Sequence, residues 1–161
     1  MSGAIKIWLC AAFSPVYRCG GWASVRVDQG ARRGLAGGER NTTAERIALA
    51  GLVAALRDLP PGAEVEIQTT SPDLAAFSGV IGSLGAPTQP PAEDLDLWAP
   101  IIAASVGLRL TLVHAVGAPA TPLAFAAAWA DLSRDKAKAS GAFVAAIPKP
   151  NLAKIQGLAA T

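Results

Sequence analysis

Charged side chains are scarce in this chain. They make up 16% of the 161 residues, whereas typical soluble domains carry about 25%. Hydrophobic residues reach 52%, with alanine as the main contributor. A monomer with so few charges would leave apolar surface in water, so we expect a protein partner or a homo-oligomer, with a dimer as the simplest form.

Sulfur and imidazole ligands are equally sparse. The chain has one histidine and two cysteines, and Cys10 with Cys19 provides neither a disulfide framework nor the four ligands of a zinc site. The apolar segment 7–13 is too short for a secretory signal, and no apolar run approaches the ~20 residues of a membrane span. We therefore expect a cytoplasmic protein with reduced thiols, without a cofactor and without a membrane partner.

Positive and negative charges are separated along the chain, and one long stretch has no cation. Residues 18–57 contain seven arginines and three acids, residues 58–108 contain seven acids and no cation, and residues 134–154 have a balance of +4. The chain has a net charge of only +2, but its charges are segregated.

The hydrophobic pattern predicts alternating strands and helices. Residues 4–9 alternate as in a strand, and Thr42-x-x-Glu45 has the form of a capping box that opens an amphipathic helix ending near Pro60. Residues 65–70 and 108–113 are short β-rich runs after glycine-containing turns. Helical periods between such strands indicate parallel pairing, and the glycine-rich opening indicates a hairpin meander. We expect an α/β protein with a mixed sheet and helices packed on it.

Seven segments follow one another in a distinctive order and spacing over about residues 4–140. They are Ile5–Ala12, Gly20–Ala23, Asn41–Leu49, Glu64–Ser71, Leu97–Trp98, Leu108–Val113 and Ala124–Lys138. In this order they resemble ribonuclease H type 1, whose first strand, second strand, first helix and fourth strand match the first four segments. The resemblance implies a mixed five-stranded sheet, an antiparallel meander followed by parallel strands, in a domain over residues 1–142. Residues 143–161 would then be a C-terminal linker, extended at Pro148–Pro150, with a short helix or tail that docks on its own domain or on a partner.

The resemblance places the metal-binding carboxylates of the family at four positions, and none of them is acidic here. They are occupied by Cys10, Ala48, Thr70 and Ala130. The family reaction resembles other two-metal phosphodiester cleavages, and Mg²⁺ requires charged oxygen ligands. Alanine offers no ligand, threonine a neutral hydroxyl and cysteine a soft sulfur. The sequence therefore predicts a catalytically inactive protein.

Two alternatives keep some chemistry. Glu45, Asp73 and Asp131 lie near three of the aligned positions and could rebuild an acidic cluster, although nothing near Cys10 replaces its carboxylate. Cys10 and His114 could instead form a nucleophile pair. The simpler interpretation makes Cys10 a small buried hydrophobe and leaves the acids solvated.

The arginine-rich first third of the chain is the candidate nucleic-acid surface. By the resemblance, Thr43 matches a family position that hydrogen-bonds the DNA backbone at a helix N-terminus. The resemblance also places the basic segment with which many ribonucleases H hold the DNA strand in the loop 79–94, but this loop has no cation. The alternative is a set of scattered solvated arginines, in which Arg46 is a purely structural helix residue. The candidate residues are Thr43, Arg18, Arg32, Arg33, Arg40 and Arg46.

The helix around residues 124–130 is small and apolar where the family is polar and catalytic. Phe125 and Trp129 form an i,i+4 pair on it. One helix cannot bury its whole circumference against one sheet, so this stretch is either core or a protein interface, and we expect an interface for the stretch as a whole.

Two functional classes follow. The first is an inactive ribonuclease H-like protein that binds RNA or an RNA/DNA hybrid weakly and without sequence preference. The second is an interaction or assembly module that uses only the scaffold. An active hybrid endoribonuclease with a relocated metal site is a further alternative.

Overall fold

A computed structural model describes most of the chain. The described residues are 5–28, 31–57, 59–60, 62–70, 95–105, 108–115, 122–153 and 155. The loop 79–94 and Asp73 lie outside them. The elements, in chain order, are β1 (Ile5–Ser14), β2 (Cys19–Asp28), β3 (Ala31–Glu39), α1 (Ala44–Ala55), β4 (Glu64–Thr69), α2 (Leu95–Ser105), β5 (Arg109–His114), α3 (Pro122–Ser140), β6 (Phe143–Ala146) and α4 (Lys149–Leu152).

The strands form one mixed sheet in the order β5-β4-β1-β2-β3-β6. Strands β1, β2 and β3 form an antiparallel meander. Strand β4 pairs in parallel with β1, and β5 pairs in parallel with β4. The α/β class and the arrangement of meander and parallel strands are therefore confirmed. The expected number of strands is wrong, because β6 pairs antiparallel with β3 and makes a sixth.

Helices cover both faces of this sheet. Strand β1 is central, so its alternating side chains are buried on opposite faces. Ile7 and Leu9 face α1 and α2 and pack with Trp98. Trp8 and Cys10 face α3 on the other side. Burial on both faces explains why β1 is apolar at consecutive positions.

Glycines on β2 and β3 allow the backbone of α3 to lie close to the backbone of the sheet. A Cβ atom on Gly21 would lie 2.6 Å from the carbonyl oxygen of Ala130, and one on Gly38 would lie 2.8 Å from the Ala137 Cβ. The face of α3 that meets these glycines consists of Ala126, Ala130, Ser133 and Ala137, all buried. Small side chains on both partners are therefore a packing requirement of this helix.

The C-terminal segment folds back onto the sheet. The Ile147 amide donates to the Gly34 carbonyl across 2.9 Å, and Ile147, Leu152 and Ile155 are buried in the α3-side core. The sheet thus continues beyond residue 142, and the described part of the C-terminal segment docks on its own domain. The expected extended linker at Pro148–Pro150 is wrong, because α4 begins at Lys149. A proline in the first helical turn is compatible with this start.

Helix α1 begins one residue later than its sequence pattern predicts. Its N-cap is Thr43, whose hydroxyl accepts from the Arg46 amide across 3.1 Å. The Thr42 hydroxyl instead donates to the Glu39 carboxylate across 3.3 Å. The predicted capping box Thr42-x-x-Glu45 is therefore wrong. In the part of the chain that the structure describes, no helix has the length and apolar character needed to cross a membrane.

Candidate functional site

Two of the four positions expected to carry carboxylates are in contact. The Thr70 hydroxyl donates to the Cys10 sulfur across 3.5 Å, and the Cys10 thiol donates to the Leu123 carbonyl, also across 3.5 Å. Cys10 lies near the end of the pairing between β1 and β4, and Leu123 lies at the start of α3. The parallel strands and the start of α3 therefore meet at Cys10, where the resemblance predicts a metal site.

The two alanines of this set lie on different faces of the sheet. Ala130 is 1% exposed and belongs to the same hydrophobic cluster as Cys10. Ala48, also 1% exposed, belongs to the cluster on the α1 side. The structure thus brings together Cys10, Thr70 and the α3 core that contains Ala130, but packs Ala48 against the other face. Any carboxylate at either alanine would be buried among apolar side chains.

The Cys10 thiol is held in its protonated form. Burial raises the pKa of Cys10 above its usual value, and the negative charge of Asp131 adds to this rise, while hydrogen bonds from Thr70 oppose it. The thiolate is the nucleophilic and metal-binding form of cysteine. His114 is exposed at the end of β5, where its register partner is Thr69. The geometry therefore favours the interpretation of Cys10 as a small buried residue.

The acids proposed to rebuild the metal site are solvated where the structure describes them. Glu45 is exposed in the first turn of α1. Asp131 is exposed and its carboxylate lies 3.5 Å from the Arg134 guanidinium. Over the described ranges, no three His, Cys, Asp or Glu side chains come close enough to hold a metal ion. Asp73 lies outside those ranges.

The candidate arginines separate into two groups at opposite ends of the β2–β3 pair. Arg18 and Arg40 are exposed beside the start of α1, where Gly20 pairs with Glu39. Arg46 lies at the same end, but its guanidinium is paired with two carboxylates. Its guanidinium donates to both carboxylate oxygens of Asp96, across 3.0 and 2.6 Å, and lies 3.8 Å from Glu39.

These contacts make Arg46 a structural residue of the α1–α2 interface. Its bidentate hydrogen bonds are the first cause of a lowered pKa at Asp96. The Thr43 hydroxyl is also engaged within the protein, because it caps α1 by accepting from the Arg46 amide. The N-terminal end of α1 therefore offers Arg18 and Arg40 as exposed cations, with Glu45 beside them.

Arg32 and Arg33 lie at the other end, beside a cavity of about 330 Å³. It is bounded by β3, the end of α1 and the segment that leads from β6 into α4. Of the described residues that line it, five are cationic and none is acidic. The five are Arg26, Arg32, Arg33, Arg57 and Lys149. We call this set the cation cluster.

Sequence reasoning missed the cavity and three members of the cluster. Arg26 and Arg57 belong to the arginine-rich block, and Arg26 donates to the Arg57 carbonyl across 3.1 Å. Lys149 is far away in sequence and reaches the cluster because β6 pairs with β3. The excess of arginines was the available signal for Arg26 and Arg57, and no local signal existed for Lys149.

Phe125 and Trp129, the expected interface residues, are half-buried on the flank of α3. Their ring centroids are 6.3 Å apart, and both pack against the α3-side core. Trp129 also lines a groove of about 250 Å³ between α3 and β6, next to Leu132 and Phe143. This surface is contiguous with the core, and part of it faces solvent.

Comparison with known proteins adds no relative to these observations. No protein-family model matches the chain, and no curated protein matches its sequence. The resemblance to ribonuclease H type 1 thus rests on the residues and the strand arrangement given above.

Proposed function

We propose that this chain is a catalytically inactive ribonuclease H-like protein that binds the backbone of RNA or of an RNA/DNA hybrid weakly and without sequence preference. The observation that carries this proposal is the cation cluster. Cations neutralise phosphates and release counterions, and this electrostatic contribution is independent of sequence. Contacts to phosphates position a protein on nucleic acid without reading bases.

The site where cleavage would occur supports the inactive half of the proposal. Cys10, Thr70 and Ala130 stand where the resemblance expects metal ligands, and the Cys10 thiol is kept protonated by burial. Two Mg²⁺ ions need several charged oxygens in a fixed geometry. Binding without cleavage is the function that these residues favour. Both cysteines are free and buried, which supports a reducing, cytoplasmic location.

A salt titration tests the binding. Fluorescence anisotropy with labelled RNA/DNA hybrid, double-stranded RNA and single-stranded RNA should show weak binding that falls steeply with salt. Arg33→Glu should reduce the slope of log K against log salt by about 0.7–0.9 for each phosphate that is no longer neutralised. Arg109→Glu, an exposed change on β5 at the far edge of the sheet, is the control. Absence of binding at low salt would contradict the proposal.

A second function, assembly, is favoured by exposed apolar side chains around the groove beside α3. Leu132, which lines this groove, is 59% exposed, and the edge strand β6 forms the other side of the groove. Edge strands and apolar patches are common sites of association. We propose a homodimer through this surface. Leu132→Glu should convert the dimer to a folded monomer in light scattering, whereas Val144→Glu, on the face of β6 away from the groove, should remain a dimer. A wild-type monomer at high concentration would contradict the assembly.

A further inference from the structure

The cavity beside the cation cluster is a concave site with two kinds of wall. Leu35, Ala54, Ala55, Ile147 and Leu152 form apolar parts of its lining, and the cluster supplies the charged part. Its volume of about 330 Å³ lies at the lower end of the ~300–1,000 Å³ that ligand pockets occupy. Mostly apolar walls with a few convergent charged groups are typical of small-molecule sites.

Hydrogen bonds within the protein fix part of this charged wall. The Arg32 guanidinium donates to the Leu152 carbonyl across 2.9 Å, and Arg26 donates to the Arg57 carbonyl. The Leu152 carbonyl orients the Arg32 guanidinium without cancelling its charge. Arg33 and Lys149 are exposed at the cavity and can approach a ligand from solvent. Preorganised arginines favour oxyanions such as phosphate, because the paired N–H donors of the planar guanidinium match two of its oxygens.

We infer that this cavity binds a small phosphate monoester of about nucleotide size, with the phosphate on the cation cluster and the organic group against Leu35 and Ala55. The cluster overlaps the proposed nucleic-acid surface, but the inference does not require polynucleotide binding. A continuous strand needs an open groove, whereas a monoester needs one concave pocket with charge on one wall. The enclosed part of the cavity fits the second, while the exposed Arg33 and Lys149 remain accessible to a strand.

Isothermal calorimetry with four probes tests the inference. Adenosine monophosphate and a hexose phosphate share the monoester, inorganic phosphate lacks the organic group, and adenosine lacks the charge. At least one monoester should bind about tenfold or more tightly than both inorganic phosphate and adenosine. Which monoester binds identifies the organic group. Equal, weak binding of all four would overturn the inference, even if the salt titration with RNA succeeds.

Two sets of variants locate the binding. Ala146 is exposed on β6 and lines the cavity, so Ala146→Trp should fill its mouth and abolish monoester binding without changing charge. Ala145→Trp, the neighbouring exposed position that does not line this cavity, should bind like wild type. Arg33→Gln and Lys149→Gln should each weaken binding about tenfold, whereas Arg109→Gln should not. Each variant is checked by its melting temperature.

The outcomes separate the two proposals. If Ala146→Trp loses the monoester but keeps RNA binding, the cavity is a distinct small-molecule site. If Ala146→Trp binds the monoester normally, or if Arg109→Gln weakens it as much as Arg33→Gln, the cavity assignment is wrong. The salt titration with RNA tests the proposed function separately, so neither result decides it.

Discussion

The Thr70 hydroxyl donates a hydrogen bond to the Cys10 sulfur across the junction of β1 and β4, with 3.5 Å between oxygen and sulfur. In an active ribonuclease H, the resemblance would place two carboxylates here, and their mutual repulsion would be relieved by metal. A hydroxyl and a thiol need no metal, because they satisfy each other and the Leu123 carbonyl. Relative to the family pattern, a neutral contact thus stands in place of a charged site.

Replacement of this contact by acids should create metal dependence. Cys10→Asp combined with Thr70→Asp should lower the melting temperature in chelator, since two adjacent buried carboxylates repel. Mg²⁺ or Mn²⁺ should restore part of the lost melting temperature by binding the folded state. Cys10→Asn combined with Thr70→Asn is the neutral control and should show no metal effect. If differential scanning calorimetry finds no metal effect in the folded acidic variant, these positions do not form the expected site.

Both thiols should be inert in the folded protein. Cys10 and Cys19 are each 1% exposed, and burial raises the pKa of Cys10. A thiol-reactive chromophore should therefore label neither at neutral pH, and both after denaturation. A group whose folded pKa is raised adds stability below its unfolded pKa, and that stability is lost as pH rises through the folded value. Stability should consequently fall in the alkaline range, and less so in Cys10→Ala. Rapid labelling of the native protein would contradict the burial.

The close approach of α3 to the sheet should make Gly21 intolerant of a side chain. Its missing Cβ would lie 2.6 Å from the Ala130 carbonyl oxygen, which is backbone and cannot rotate away. Gly21→Ala should cost about 3 kcal/mol or more in the free energy of unfolding, the upper end of the cost of overpacking, because the nearest neighbours of the new Cβ are all backbone. The control is Ala128→Gly, an exposed change on α3 whose cost of about 1 kcal/mol comes from helix propensity alone. Urea unfolding measures both, and an equal or smaller destabilisation by Gly21→Ala would be inconsistent with this packing.

The Arg46–Asp96 pair should be visible in the titration of Asp96. The guanidinium holds the pKa of Asp96 below its usual value, so this carboxylate adds stability at neutral pH that is lost as pH falls through the lowered pKa. Arg46→Gln should raise the pKa of Asp96, as followed by carboxyl NMR. Arg134→Gln, which removes a different ion pair on α3, should leave it unchanged. An Asp96 pKa that does not respond to Arg46→Gln would refute the contact.

Local pattern was enough to predict the sheet but not its edge. Strands β4 and β5 have clear apolar periods, and the structure places them within one residue of where those periods indicate. Helix α1 is also present, but it ends at Ala55 and not near Pro60 as predicted. The four residues of β6 (Phe143–Ala146) carry no alternation that distinguishes them from a loop. They become a strand because β3 offers an open edge to pair with, a condition set by tertiary structure.

Long-range contacts also decided the roles of the charged residues. Arg46 and Asp96 are far apart in sequence, so no local pattern indicates their bidentate pair. The cation cluster needs Lys149 to return beside β3, which depends on β6. At the start of α1 the sequence pattern predicted Thr42 as the cap, but Thr42 contacts Glu39 and Thr43 caps the helix. Sequence indicated the residue types of the site, whereas their grouping required the fold.

Single-turnover incubation of an end-labelled RNA/DNA hybrid with excess protein, in Mg²⁺ and separately in Mn²⁺, tests the central proposal most directly. At low salt the hybrid should be bound, as seen by its anisotropy, and its RNA strand should stay intact, because the aligned positions supply no carboxylates to hold two metals. Metal-dependent cleavage that disappears in Glu45→Ala or Asp73→Ala would contradict the inactive assignment and establish a relocated metal site.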